Sequence, residues 1–289
     1  MGILSDQQKA AFERDGVLTV EGAVDAALLA RLKADFADWV AESTNHDAPY
    51  GETVDGRPRF DLQPGEDGRP PALRRVQAPT EVSDAYYEAM ADSAMTDMVA
   101  ELIGPDIKLH HTKINSKQPG AATEVKWHQD FPYTPHSNAD LVTALLMIDD
   151  VTEENGPLAV QPGSHKGPIH SLWHDGVFTG AVAPEIEAEA KASAQLCTGK
   201  AGSVCLMHTR LNHGSEPNLS EMPRTLFICV YSAGDAMPCS ANPVPTKHMG
   251  LFVRGSDPHR VRGEAFDIAV PEYPKTSFFA QQSEKERTV

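Results

Sequence analysis

The hydrophobic rhythm of the chain changes near residue 106. Before it, apolar positions follow helical spacing. Ser5-Asp6-Gln7-Gln8 has the form of a capping box, which predicts a short helix to about Arg14. Asp15-Gly16 breaks that helix, and Val17–Val20 reads as a strand. Asp25 stands where a second helix would be capped. Leu28, Leu29, Leu32, Phe36, Trp39 and Val40 then fall on one helical face. Residues 45–72 are rich in Gly, Pro, Asp and Arg without periodicity and read as a long loop. Helical patterns return from Ser83 to Ile103, and Gly104-Pro105 ends them.

Beyond residue 106, short apolar runs alternate with Gly, Pro and Asn turns. Ile107–Asn115, Leu141–Ile148, Leu158–Val160, Ser203–His208 and Thr225–Tyr231 predict strands. Leu141–Ile148 and Thr225–Tyr231 are almost continuously apolar, the pattern of strands buried on both faces. Leading helices followed by many short strands predict a mainly β fold with α, a barrel or jelly roll with the helices packed outside. One domain is expected over 1–289. It comprises a helical layer and loop (1–105), a core (106–240) with an insertion at about 166–200, and a C-terminal extension (241–289). The tail from Ser283 is expected to fray.

Charge and cysteine usage narrow the partners. The 289 residues include 41 acidic and 25 basic ones, a net charge of −16, which disfavours nucleic acid and anionic membrane surfaces. No apolar run has the length of a bilayer span. Residues 1–6 lack the basic and apolar regions of a signal peptide. Cys197, Cys205, Cys229 and Cys239 show no CxxC spacing and read as reduced thiols. The expectation is a cytoplasmic enzyme with a small-molecule substrate, no nucleic acid and no membrane. Nothing in the sequence marks its oligomeric state.

The chemistry starts at Trp127-His128-Gln129-Asp130. In a strand, residues i and i+2 share a face, so His128 and Asp130 can reach one metal. His-x-Asp alone arises often by chance. It gains weight from Leu211-Asn212-His213-Gly214-Ser215, followed by Arg224 eleven residues after His213. Two imidazoles and one carboxylate form the facial triad of non-haem iron(II) oxygenases, which leaves adjacent metal positions open. A guanidinium at the start of the following apolar run suits a carboxylate clamp, here the distal carboxylate of 2-oxoglutarate, with Ser215 as a second donor. His208 competes with His213 as third ligand, but only His213 has the following Gly-Ser and the arginine.

The motifs together resemble the phytanoyl-CoA dioxygenase family of Fe(II)/2-oxoglutarate oxygenases. The resemblance runs from Phe12-Glu13-Arg14-Asp15-Gly16-Val17-Leu18 through Trp127–Asp130 and Asp149–Leu158. It continues through Val160-Gln161-Pro162-Gly163-Ser164-His165 to Leu211–Ser215, Asn218 and Arg224. It implies a double-stranded β-helix (jelly-roll, cupin-like) core, with His128, Asp130 and His213 as iron ligands. It implies that Arg224 and Ser215 bind 2-oxoglutarate, with further co-substrate contacts at Gln129 and Lys113. The implied reaction is hydroxylation of a small organic substrate by O2, with release of succinate and CO2, ascorbate supporting turnover in vitro. Because related halogenases lack the carboxylate ligand, Asp130 argues for hydroxylation. Candidates for the substrate pocket are Arg75, Tyr133, His111 and Trp173. The last lies in the 166–200 insertion, which reads equally as a lid or a solvated connection. His165 reads as a turn residue. Two alternatives stand beside the hydroxylase: a cupin-like metal-dependent isomerase or hydrolase, and a non-catalytic binding protein on the same fold.

Overall fold

The computed structural model describes residues 2–65, 71–119, 123–273, 279 and 282. The tail from Ser283 lies outside the described residues. Helix α1 (Asp6–Asp15) starts on the expected capping box: Ser5 Oγ accepts from Gln8 N at 3.2 Å and Gln8 Oε1 accepts from Ser5 N at 2.9 Å. It ends at Gly16, with φ 75°, where a Cβ would lie 2.4 Å from His165 Nδ1. Glycine is therefore required there by conformation and by close approach. Strand β1 (Val17–Val20) follows. Helix α2 (Ala26–Ser43) buries Leu28, Leu32 and Phe36, with Leu29, Trp39 and Val40 at the margin of the same core.

The expected loop at 45–72 is in part sheet: β2 (Phe60–Gln63) pairs with β3 (Ala72–Gln77). Phe60 and Leu62 face the core, and the intervening Asp61 is paired with Arg74 at 2.9 Å, so the run looks polar in sequence. The helical stretch at 83–103 resolves into α3 (Asp84–Ala91) and α4 (Ala94–Ile103).

The remaining strands are β4 (Ile107–Lys117), β5 (Val125–His128), β6 (Leu141–Met147), β7 (Leu158–Val160), β8 (Trp173–His174) and β9 (Val177–Phe178). After helix α5 (Pro184–Ala192) come β10 (Gln195–Cys197), β11 (Val204–His208), β12 (His213–Ser215), β13 (Arg224–Ala233) and β14 (Phe252–Arg254). They form two antiparallel sheets. The larger has the order β1-β11-β6-β13-β4-β3-β2, with β14 also on β4; the smaller has the order β10-β7-β12-β5. Strands β8 and β9 form a separate hairpin.

Strands β6 and β13 are apolar throughout because they serve two cores. Val142, Ala144, Leu146, Phe227, Cys229 and Tyr231 pack with Leu32, Tyr86 and Met95 of the helices. The alternate residues Leu145, Met147, Leu226 and Ile228 pack with Leu158, Val160 and Cys197 of the smaller sheet. Each large side chain so buried contributes about 1.5–3 kcal/mol. The result is the expected double-stranded β-helix with helices outside. The same parity governs β4 beyond the register shift opposite Val230/Tyr231: Ile114 joins the helical core, while Lys113, Asn115 and Lys117 face inward.

Candidate active site

Register brings the metal candidates together. His128 lies directly opposite His213 across the β5–β12 pair, and Asp130 follows two residues after His128. The two imidazole centroids are 4.2 Å apart. Asp130 Oδ1 lies 3.5 Å from His128 Nε2 and 3.7 Å from His213 Nε2. One ligand atom from each residue falls within 4.8 Å of the others.

The surroundings fix the orientation of all three. His128 Nδ1 bonds to Lys126 O at 2.7 Å and His213 Nδ1 to Leu211 O at 2.9 Å. A carbonyl accepts only, so each Nδ1 carries a hydrogen and each Nε2 is the nitrogen turned inward. Thr143 Oγ1 donates to Asp130 Oδ2 at 2.7 Å, which leaves Oδ1 facing the imidazoles. Burial alone would raise the Asp130 pKa. The two histidines and Lys113 outweigh it and hold the carboxylate well below its usual range. Burial, reinforced by His128 and opposed by Asp130, pushes His213 down to about 4, so its imidazole is neutral. Two imidazoles and one carboxylate fit a divalent iron with open positions.

The same cavity ends at Arg224, Lys117 and Ser215. Arg224 is 3% exposed, and its Nε donates to Gly156 O at 2.9 Å. That carbonyl is set by Asn155-Gly156. Asn155 accepts from Thr152 N and donates to Asp150 O, and Gly156 has φ 76°. A Cβ on Gly156 would lie 2.6 Å from Glu216 O. The acidic turn and Asn-Gly seen in the sequence thus serve to seat the arginine. Lys117, which the sequence reading did not single out, donates to Ser215 Oγ at 2.8 Å and to Ser215 O at 3.3 Å. Burial and then Arg224 push its pKa down to about 6. The inward parity of β4, counted from Lys113, is the signal that would have found it.

Arg75, His111 and Tyr133 are gathered around a second cavity with Asp130 and Lys113; Lys113, expected at the co-substrate, lines both cavities. Trp173 lines neither cavity. Its ring is tilted against Phe178 at 5.4 Å, and Phe178 in turn packs on Tyr133 at 5.2 Å. Trp173 therefore stands behind the pocket wall. Gln129, expected at the co-substrate, has its amide engaged within the protein. Its amide nitrogen donates to Pro168 O and Arg210 O and its oxygen accepts from His170 N, tying down the insertion. The insertion itself packs Leu172, Phe178, Val182 and Ala190 against Trp127 and Tyr133. His208 is turned away, with its ring 5.2 Å from that of His165, whose Nε2 bonds to Glu13 O.

Fold and site define a non-haem iron, 2-oxoglutarate-dependent dioxygenase, and comparison with known proteins agrees. The chain belongs to the phytanoyl-CoA dioxygenase family, whose sequence profile matches residues 12–226. It is 33% identical, over 80% of its own length and 81% of the other, to a probable alpha-ketoglutarate-dependent hypophosphite dioxygenase of Stutzerimonas stutzeri. It is 27% identical to the ectoine dioxygenase of Sphingopyxis alaskensis, over 80% and 76% of the two chains. The crystal structure of EctD from S. alaskensis in its apo form shares the fold, with TM-score 0.67, 24% identity and coverage of 91% and 88%.

Proposed function

We propose that His128, Asp130 and His213 hold Fe(II), and that Arg224 and Ser215, joined by Lys117, hold the distal carboxylate of 2-oxoglutarate. The enzyme then hydroxylates a small polar substrate. The observation that carries this reading is one cavity with an iron-type triad at one end and a buried, pre-seated guanidinium at the other. A cupin-like isomerase or hydrolase has no use for a dicarboxylate clamp, and a non-catalytic binding protein has none for an oriented triad.

Bound iron supplies the activation of O2 that couples 2-oxoglutarate decarboxylation to substrate oxidation. The protein's own part is positional. Lys126 O and Leu211 O fix the imidazole tautomers, Thr143 aims Asp130, and Gly156 O aims the guanidinium. Leu145, Leu158, Leu226 and Ile228 line the space between and keep water out. A small substrate accords with the relatives named for hypophosphite, ectoine and L-proline. A cytoplasmic setting accords with four free cysteines, and no described helix is long and apolar enough to cross a membrane.

The test is succinate release from 2-oxoglutarate with Fe(II) and O2. Iron-dependent release is expected, accelerated by the true substrate. Absence of both iron-dependent release and iron-dependent 2-oxoglutarate binding overturns the reading.

A further inference from the structure

The second cavity adjoins the first through Lys113 and Asp130, which line both. It is smaller, about 390 Å³ against about 640 Å³, each figure counting space open to solvent. Arg75, Lys113 and the buried imidazole of His111 line it together with apolar Val230 and Val244. Arg224, the cation assigned to the co-substrate, is not among them.

We propose that this cavity is the anion subsite of the primary substrate, taking a compact oxyanion head group such as a phosphonate, phosphinate or small carboxylate. The proposal rests on the dioxygenase reading above.

Three observations support it. The Lys113 ammonium donates no hydrogen bond to any described residue, and burial and Arg75, against the pull of Asp130, press its pKa down to about 8. Such a group gains most from an incoming anion. His111 is 2% exposed, and its Nε2 has no hydrogen-bond partner among the described residues. Its Nδ1 meets His110 Nδ1 at 2.7 Å. With His110 as the donor there, His111 Nε2 carries the hydrogen and offers it to the cavity.

The third observation is the balance of charge. Asp130 is the acid that lines this cavity, and it is already engaged: Oδ2 bonds Thr143 and Oδ1 faces the two imidazoles. Arg75, which also feels Asp61, and Lys113 are buried cations in a chain of net charge −16, and they run against the overall field, as a local anion site requires; burial keeps His111 uncharged, so it contributes as a hydrogen-bond donor. Adjacency to Asp130 places the bound head beside the metal triad, and the limited volume favours a compact molecule. Val230 and Val244 would face its non-polar part.

The test is anaerobic calorimetry on the full chain loaded with Fe(II) and 2-oxoglutarate. The probes are hypophosphite, methylphosphonate and acetate, with acetamide as the uncharged counterpart. The oxyanions are expected to bind in competition with one another, and acetamide at least roughly tenfold more weakly than the best of them. Lys113→Met should weaken the best oxyanion by roughly 30-fold, and more than it weakens 2-oxoglutarate. His111→Asn should weaken it by about fivefold, with 2-oxoglutarate affinity unchanged.

The proposal is overturned if the wild type binds 2-oxoglutarate but none of the oxyanions at about 10 mM, a weak-affinity ceiling. It is also overturned if Lys113→Met weakens 2-oxoglutarate as much as the oxyanion. Should Lys113→Met fail to fold, unchanged oxyanion affinity in His111→Asn overturns it. A wild type that binds no 2-oxoglutarate counts against the dioxygenase reading instead.

Discussion

Replacing Arg224 by Met removes the group on which the co-substrate assignment depends. The guanidinium is 3% exposed and spends one nitrogen, Nε, on Gly156 O at 2.9 Å. Its remaining nitrogens are the fork that a carboxylate accepts in two parallel hydrogen bonds. A hydrogen bond to a charged group is worth about 1.5–3 kcal/mol, and truncating one partner of a buried ion pair costs about 3–5 kcal/mol. The loss should therefore be about 4 kcal/mol, or roughly 1,000-fold in 2-oxoglutarate affinity. Arg224→Lys keeps the charge but loses the fork and the seat on Gly156. It should fall between, at roughly 30-fold. The assay is anaerobic calorimetry of 2-oxoglutarate into iron-loaded protein, with iron content measured in parallel and expected to stay unchanged. A folded Arg224→Met variant that binds 2-oxoglutarate within about threefold of wild type would refute the clamp.

Three further outcomes follow from the same geometry. Lys117 has its pKa held down to about 6 by burial and Arg224, against the opposing pull of Glu216 and Glu124. A dicarboxylate beside it raises that value, so binding takes up a proton. Affinity for 2-oxoglutarate should then fall as pH rises above 6, by up to about tenfold per unit. Lys117→Met should flatten that slope, and an equally steep slope in the variant would exclude Lys117 as its source. Thr143→Val frees Asp130 Oδ2 and should lower Fe(II) affinity by about 10–100-fold in chelator competition, whereas unchanged affinity would show that Asp130 needs no aiming. Gly156→Ala must move a Cβ off Glu216 O; it should raise the KM for 2-oxoglutarate with full iron content, and a normal KM would detach the Asn-Gly turn from the clamp.

Sequence and structure agree where one periodicity dominates. Leu141–Ile148 and Thr225–Tyr231 were readable as doubly buried strands because both of their faces meet apolar partners. The triad was readable because His128 and Asp130 stand two residues apart at the end of β5 and His213 carries its Gly-Ser and arginine at fixed spacing. Lys117 was not, since Lys117-Gln118-Pro119-Gly120 looks like a basic turn. Its burial depends on the Ser215–Glu216 backbone, distant in sequence. Gln129, placed at the co-substrate by resemblance, follows the end of β5, and its amide bonds the Pro168–His170 segment, a partner far away in sequence. The second cavity depends on Pro243 and Val244 from a C-terminal extension without periodicity, joined to β4 by Asn242 Nδ2 donating to His110 O. Strand β2 was hidden because buried Asp61 is paired with Arg74 from its neighbour.

The most direct test of the site is Fe(II) and 2-oxoglutarate stoichiometry measured anaerobically on wild type, Asp130→Ala and His213→Ala. For the wild type the expected result is about one iron per chain and about one 2-oxoglutarate per iron, with tight co-substrate binding only when iron is present. Both variants should lose the iron and, with it, the iron-dependent part of 2-oxoglutarate binding. Folded variants that retain iron at wild-type affinity, or 2-oxoglutarate binding that is indifferent to iron, would contradict a metal site built on His128, Asp130 and His213.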